Sequence, residues 1–233
     1  NRSSQHTWNA QFRMEWTPDT MTNIIFRPSG SLTRSKGYSN SESASFNDDP
    51  YKYTDEPLRY GIEEFDADSI LNIIVNTNVN RSQNYSENRR IAGELQVNRR
   101  LNNEGRNLTL RATGNAAGSD SKQLSAAQIR YKSTGMETIN NRYYNTPGRN
   151  SSFSAQLTYS EPIADRTYLQ FSYRFNYSYN KSDRQAFILA PTAYTDLANA
   201  LNSYRYNIDG AIDYLLQNGH DLMGGDVSPQ ADS

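Results

Sequence analysis

Strict two-residue alternation is the feature that most narrows what this chain can fold into. Phe153, Ala155, Leu157 and Tyr159 alternate with Ser154, Gln156 and Thr158. After a turn at 161–166, Leu169, Phe171, Tyr173, Phe175, Tyr177 and Tyr179 alternate with Gln170, Ser172, Arg174, Asn176 and Ser178. Successive side chains on a strand point to opposite faces, so the stretch predicts a hairpin with one apolar and one polar face. Trp8, Ala10, Phe12, Met14 and Trp16 form another such row, ended by Thr17-Pro18-Asp19-Thr20, with Thr22, Ile24 and Phe26 on the return strand. A third hairpin turns at 102–106, between Ile91, Gly93, Leu95, Val97 and Leu108, Leu110, Ala112, Gly114.

The period of two persists where hydrophobicity fades. From Ser29 to Ser45 nearly every odd position is Ser, Thr or Gly, which predicts a long continued strand, with a serine-rich linker as the alternative. Matching phase at Ile73, Val75, Thr77 and at Ile91, Gly93, Leu95 allows one strand from about 71 to 101. The fold class is therefore all-β, an antiparallel meander of long hairpins. Helix-like spacing occurs only late, at Leu197, Ala200, Leu201, Tyr204 and at Ile212, Leu215, Leu216, which predicts short helices inside one long connection.

Composition excludes several function classes. Apolar residues, tyrosine included, make up 35% of the 233 residues, below the roughly 45–50% of ordinary globular domains; a conventional core is thin. Twenty-four Lys+Arg offset 25 Asp+Glu, so no overall charge draws the chain to nucleic acid, and no nucleic-acid partner is expected. There is no cysteine, which removes disulfides, thiolate metal sites and cysteine nucleophiles. No run approaches the ~20 apolar residues of a membrane helix.

The connections are unequal. Tight turns at 17–20, 102–106 and 161–166 alternate with long links at roughly 46–71, 116–150 and from 180 onward. Outer-membrane barrels have this asymmetry, with short turns on one side and long loops on the other. The best apolar alternation lies beside the tight turns and spans about 9–11 residues, the length of a tilted membrane-crossing strand. Trp16, Tyr159 and Tyr168 fall where an interfacial aromatic girdle belongs. Residues 1–190 are accordingly expected to be a fragment of an outer-membrane β-barrel with about six strands, fewer than the eight or so that close one. Residues 191–233 are expected to be a long extracellular loop or tail. A start at Asn1, without methionine or signal peptide, reads as a piece of a longer protein. The alternative is a soluble or secreted β-rich binding or adhesive domain whose apolar face packs on protein.

At Glu15-Trp16-Thr17-Pro18-Asp19 with Ile25-Phe26-Arg27-Pro28, at Gly93 through Arg106, at Asn141-Arg142-Tyr143, and at Leu157 through Ile163 running into Leu169 through Tyr173, the chain resembles a known group. It is similar to the outer-membrane β-barrel proteins of Bacteroidetes related to TonB-dependent receptors. The resemblance implies a barrel of about 22 strands, filled by a plug and driven by an inner-membrane energy-coupling complex, that imports a glycan, peptide or chelate. It also implies outer-membrane lipid, the remaining strands and plug of the parent protein, and in some relatives a surface lipoprotein, as partners. The sequence contains neither a recognisable plug nor a coupling box.

No catalytic constellation stands out, and neither a cofactor nor a metal is expected. The two histidines, His6 and His220, lie far apart in the chain. Glu63, Glu64, Asp66 and Asp68 read as a solvated acidic loop, with calcium ligation as the alternative, because their spacing is not that of a calcium loop. Tyr51, Tyr53, Tyr60, Tyr143, Tyr144, Tyr204 and Tyr206 fall in the expected long links. Their flat rings and hydroxyls suit sugars or peptides, and make them the candidate ligand-binding residues; packing between loops is the alternative.

Overall fold

A computed structural model describes residues 1–62, 73–164 and 166–226. One antiparallel sheet contains β1 (Arg2–Gln11), β2 (Met14–Asp19), β3 (Thr22–Phe46), β4 (Ile74–Arg100), β5 (Asn107–Tyr131), β6 (Glu137–Ala164), β7 (Thr167–Ser182), β8 (Gln185–Leu189) and β9 (Met223–Asp226). Both β1 and β2 pair with β3, and both β7 and β8 pair with β6. Each couple keeps a common register on its partner, so the strands before β9 make six antiparallel passes of an open meander.

Proline explains the first interruption. Phe12 donates its N–H to the Pro28 carbonyl at 3.0 Å, but Pro28 has no N–H to return, so the ladder lapses between β1 and β2 while the register continues. The serine-rich stretch is strand, within β3. Its small side chains lose hydrophobic contrast, yet β4 pairs with it from Thr22 to Phe46 with one shift, at Ser45/Phe46.

The expected long link at 116–150 is not a loop. β5 runs to Tyr131, β6 starts at Glu137, and the turn between them closes with Tyr131 N–H on the Met136 carbonyl at 2.8 Å and Gly135 at a φ of 62°. Polar residues such as Asp120, Ser121, Lys122 and Gln123 are held extended by hydrogen bonding to strands on both sides. Tyr143 and Tyr144 therefore sit in a strand rather than a link. Of the three links expected to be long, the one after β3 remains so, whereas the last begins only after β8, because 185–189 is still strand paired with β6.

At the other end the turns are tight. Asp19 Oδ1 accepts from Met21 N–H at 2.8 Å. Asn102 Oδ1 accepts from Glu104 N–H at 3.2 Å and Arg106 N–H at 2.9 Å, and Gly105 takes a φ of 105°, in the left-handed region that favours glycine.

Between β3 and β4 the described residues include a 3-10 turn, Pro50–Lys52, and α1 (Pro57–Ile62). After β8 come α2 (Tyr194–Ser203) and α3 (Ile208–Gln217). Asn207 caps α3 by accepting from Gly210 N–H at 3.1 Å, and Gly219, at a φ of 80°, follows its end. The buried stripes are Leu197, Ala198, Ala200, Leu201 and Ile208, Ala211, Ile212, Leu215. All but Ala198 pack with Leu124, Ala126, Tyr143 and Leu189 of the sheet in the main buried cluster. Leu216, placed on the apolar spacing by sequence, is exposed.

One polar side chain ties helix to sheet. Gln83, fully buried on β4, donates through Nε2 to the carbonyls of Leu201 at 2.7 Å and Tyr204 at 3.1 Å, satisfying the end of α2. Replacing Gln83 with Leu should leave those carbonyls unpaired, at a cost of about 1–3 kcal/mol. Hydrogen exchange should then accelerate in α2 and α3 while the β3–β5 amides keep their protection; equal loss everywhere would contradict this anchoring role.

Candidate membrane face and lumen wall

Cross-strand register assembles the two faces row by row. Trp16, Ile24, Val97, Leu110, Leu157 and Tyr173 form one row across all six passes. The next holds Met14, Phe26, Leu95, Ala112, Ala155 and Phe175, followed by Phe12, Pro28, Gly93, Gly114, Phe153 and Tyr177. A fourth contains Ala10, Gly30, Ile91, Ala116, Ser151 and Tyr179. None of these rows carries a charged side chain.

Among the described residues nothing covers this band. Phe12 is 72% exposed, Trp16 58% and Tyr173 70%. Six passes about 4.8 Å apart and four rows about 6.8 Å apart make a patch of roughly 24 by 20 Å. That approaches the largest apolar patches of soluble monomers, about 300–600 Å², before its aromatic borders are counted. Below it lies the row of Thr22, Arg99, Leu108, Tyr159 and Phe171; above it lies the row of Trp8, Leu32, Arg89, Gly118, Arg149 and Lys181. Aromatic and cationic side chains thus flank an uncharged strip at both ends.

The opposite face is predominantly polar over the same height, with Ile25, Ala92 and Ala117 as its apolar exceptions. Gln96, Arg111, Gln156 and Arg174 share one row, and Asn176 lies in the next with Arg27, Glu94, Thr113 and Ser154. Glu94 bridges two strands: Arg27 Nη1 donates to Oε1 at 2.7 Å and Arg111 Nη2 to Oε2 at 3.0 Å. Arg174 Nη2 donates to Gln156 Oε1 at 2.6 Å. Shallow concavities occur along this side, one bordered by Arg13, Arg27, Ser29, Glu94, Thr113 and Asn115. The Glu94 cluster was missed in the sequence, although opposite charges at Arg27, Glu94 and Arg111 become cross-strand neighbours once register is known.

The seven candidate tyrosines do not converge. Tyr51 and Tyr53 are exposed at the 3-10 turn, and only the backbone of Tyr60, in α1, is described. Tyr143 is buried against the helices, stacked on Phe187 at 5.6 Å between centroids. Tyr144 faces the other way, with the Arg184 guanidinium 4.5 Å from its ring centre. Tyr204 ends α2, its ring 5.8 Å from that of Tyr214. Tyr206 is half-buried, at a φ of 68°. The acidic residues Glu63, Glu64, Asp66 and Asp68 lie outside the described residues. Among the described residues no group of three or more His, Asp or Glu side chains is placed to hold a metal ion.

The helix pair packs on the same face as the apolar band, but higher, beyond a charged zone. There Arg34 Nε donates to Glu87 Oε2 at 2.5 Å, and the Tyr85 hydroxyl donates to the same oxygen at 2.7 Å. Arg89 pairs with Glu87 at 2.7 Å and with Asp120 at 3.0 Å. Lys122 holds Asp209 of α3 at 2.6 Å.

The chain matches no protein-family model and no curated protein sequence. Among the described residues no helix is long and apolar enough to cross a membrane, which leaves β-strand crossing untouched.

The Tyr85 hydroxyl, and next the Arg34 guanidinium, hold the Glu87 carboxyl below its ordinary range. Its stabilising effect is therefore present above the unfolded glutamate value of about 4.3 and is lost as pH falls through the lower folded value. Glu87→Gln should accordingly be less stable than wild type at pH 7, and the difference should shrink steadily below about pH 4. Paired urea denaturations across this range check the sign; a gap that widens on acidification would contradict it.

Proposed function

We propose that this chain is part of the barrel wall of an outer-membrane receptor or transporter that imports a nutrient. The single observation that carries the reading is the bare, uncharged apolar band opposite a hydrogen-bonded arginine-, glutamine- and asparagine-rich face. A lipid-exposed strand must keep its backbone paired and its outward side chains apolar, while lumen side chains stay wetted. From Thr22 to Leu32, β3 offers eleven positions with the two flanking rows counted and nine between them, against the roughly 9–11 that a tilted strand needs.

Both margins of the sheet favour a part of a larger wall. β2 and β7 each pair on one side only, leaving their other edges without partners among the described strands. Bare edges in hydrocarbon would leave amides unpaired, so further strands of the parent protein complete the closure in this reading. Import of a glycan, peptide or chelate, a plug, the energy-coupling complex and a surface lipoprotein come from the sequence resemblance.

The rival soluble binding domain draws support from the α2–α3 core, which is an ordinary globular packing. It leaves the band itself unexplained.

Introduced cysteines meet no native cysteine within this chain, which suits site-directed labelling. Single cysteines at Leu95, Gln96, Val97, Leu110 and Arg111 in the membrane-reconstituted parent protein would carry spin labels. Labels at 95, 97 and 110 should be accessible to oxygen, and those at 96 and 111 to a water-soluble nickel chelate. Uniform aqueous accessibility, with monodisperse protein in plain buffer, would refute the membrane reading.

Substitution gives a second test. Leu157→Arg, on the apolar face, should lower folding stability in bilayers by about 2–4 kcal/mol, whereas Gln156→Arg should change it by less than about 1 kcal/mol. Reversible unfolding from vesicles measures both, and equal costs would contradict the assignment of faces.

A further inference from the structure

The upper border of the apolar band holds a charge arrangement that the fold itself does not balance. Arg149 and Lys181 are direct cross-strand neighbours on the apolar side, both exposed. Like charges placed so are destabilising. Arg89, in the same row, has Glu87 and Asp120 as partners. Neither Arg149 nor Lys181 has a hydrogen-bond or ion-pair partner among the described residues.

Beside this pair the surface is cut away. Gly118 separates Arg89 from Arg149, and a Cβ there would meet nothing nearer than the Gly148 carbonyl at 4.0 Å. Below Gly118 the same face of β5 continues with Ala116, Gly114 and Ala112. Ile91 and Leu95 of β4 stand on one side of this trough, with Phe153 of β6 on the other. The small side chains alone mark nothing. What gives the trough an occupant is the unpaired cationic couple at its head, where the uncharged band ends.

We infer that Arg149 and Lys181 bind the phosphate of an anionic membrane lipid, one acyl chain of which lies in the trough below Gly118. The inference rests on the barrel reading, which puts this row at the headgroup level of the leaflet on the long-loop side. Charge complementarity selects the ligand: two adjacent cations meet a phosphate, and the apolar trough meets hydrocarbon. A free anion satisfies only the upper half. Arginine supplies a planar fork to phosphate oxygens, and lysine adds a point charge on a long stem able to reach the headgroup layer.

The test uses the full parent protein in detergent, with added phosphatidylglycerol, and counts bound lipid by native mass spectrometry. Wild type should retain phosphatidylglycerol in preference to phosphatidylcholine. Arg149→Gln with Lys181→Gln should reduce retention roughly tenfold or more, and Arg174→Gln, on the opposite face, should leave it unchanged. Gly118→Leu fills the trough without touching charge and should also lower retention, which keeps the test available if the double variant does not fold. Equal retention in all four proteins would overturn the inference. So would displacement of the lipid by inorganic phosphate at similar concentration, which would indicate a site for free anions. The barrel reading fails separately, if wild type needs no detergent to stay monodisperse; detergent dependence with indifferent variants sinks the lipid site alone.

Discussion

Everything in this molecule depends on register. From β3 through β6 the ladders run without a shift over the height of the apolar band, and β7 continues them up to the tight turn. Because side chains alternate with a period of two, a one-residue slip at any pair would move that strand's apolar set to the polar face. The ladder thus converts six short, locally ambiguous patterns into one continuous surface. Side-chain packing contributes little in this half of the sheet, where no second layer among the described residues covers either face.

The upper half obeys a different rule. There the hydrogen-bond ladder persists, but the face that was apolar becomes charged and then, higher still, receives α2 and α3. Leu124 and Tyr143 share a row on this face, and both are buried by the helix pair. Gln83, in the same row, becomes the polar anchor. One strand such as β5 therefore passes from Leu110 in an uncovered band to Leu124 in a dry core without changing face. In the barrel we propose, the solvent along that face changes from hydrocarbon to headgroups to protein.

This explains what could be read beforehand. The tight-turn hairpins were legible because apolar and polar residues contrast at every step, as at Phe171 and Ser172. The strand nature of 116–150 was not, because residues such as Ser119, Ser121 and Gln123 carry no contrast. Their extension is fixed by pairing with β4 and β6, which no local window contains. The one local clue was Gly135, at the turn. The tyrosines failed to form a site for a related reason: position in a link says nothing about direction, and Tyr143 and Tyr144 point to opposite faces of one strand. The Glu94 cluster joins residues on β3, β4 and β5, and only register brings them together.

The charge distribution carries the last step. On the polar face Glu94 already serves two arginines, and Arg174 turns to the neutral carbonyl of Gln156 rather than to a carboxylate. Such a face leaves its guanidinium groups only partly neutralised, which is tolerable against water or an acidic surface and costly against hydrocarbon. The opposite face shows the converse, with no charged side chain in four successive rows. A soluble sheet seeking a partner layer has no need to keep one face so predominantly polar and the other so uniformly free of charge. A wall between lipid and an aqueous, plug-filled lumen needs both.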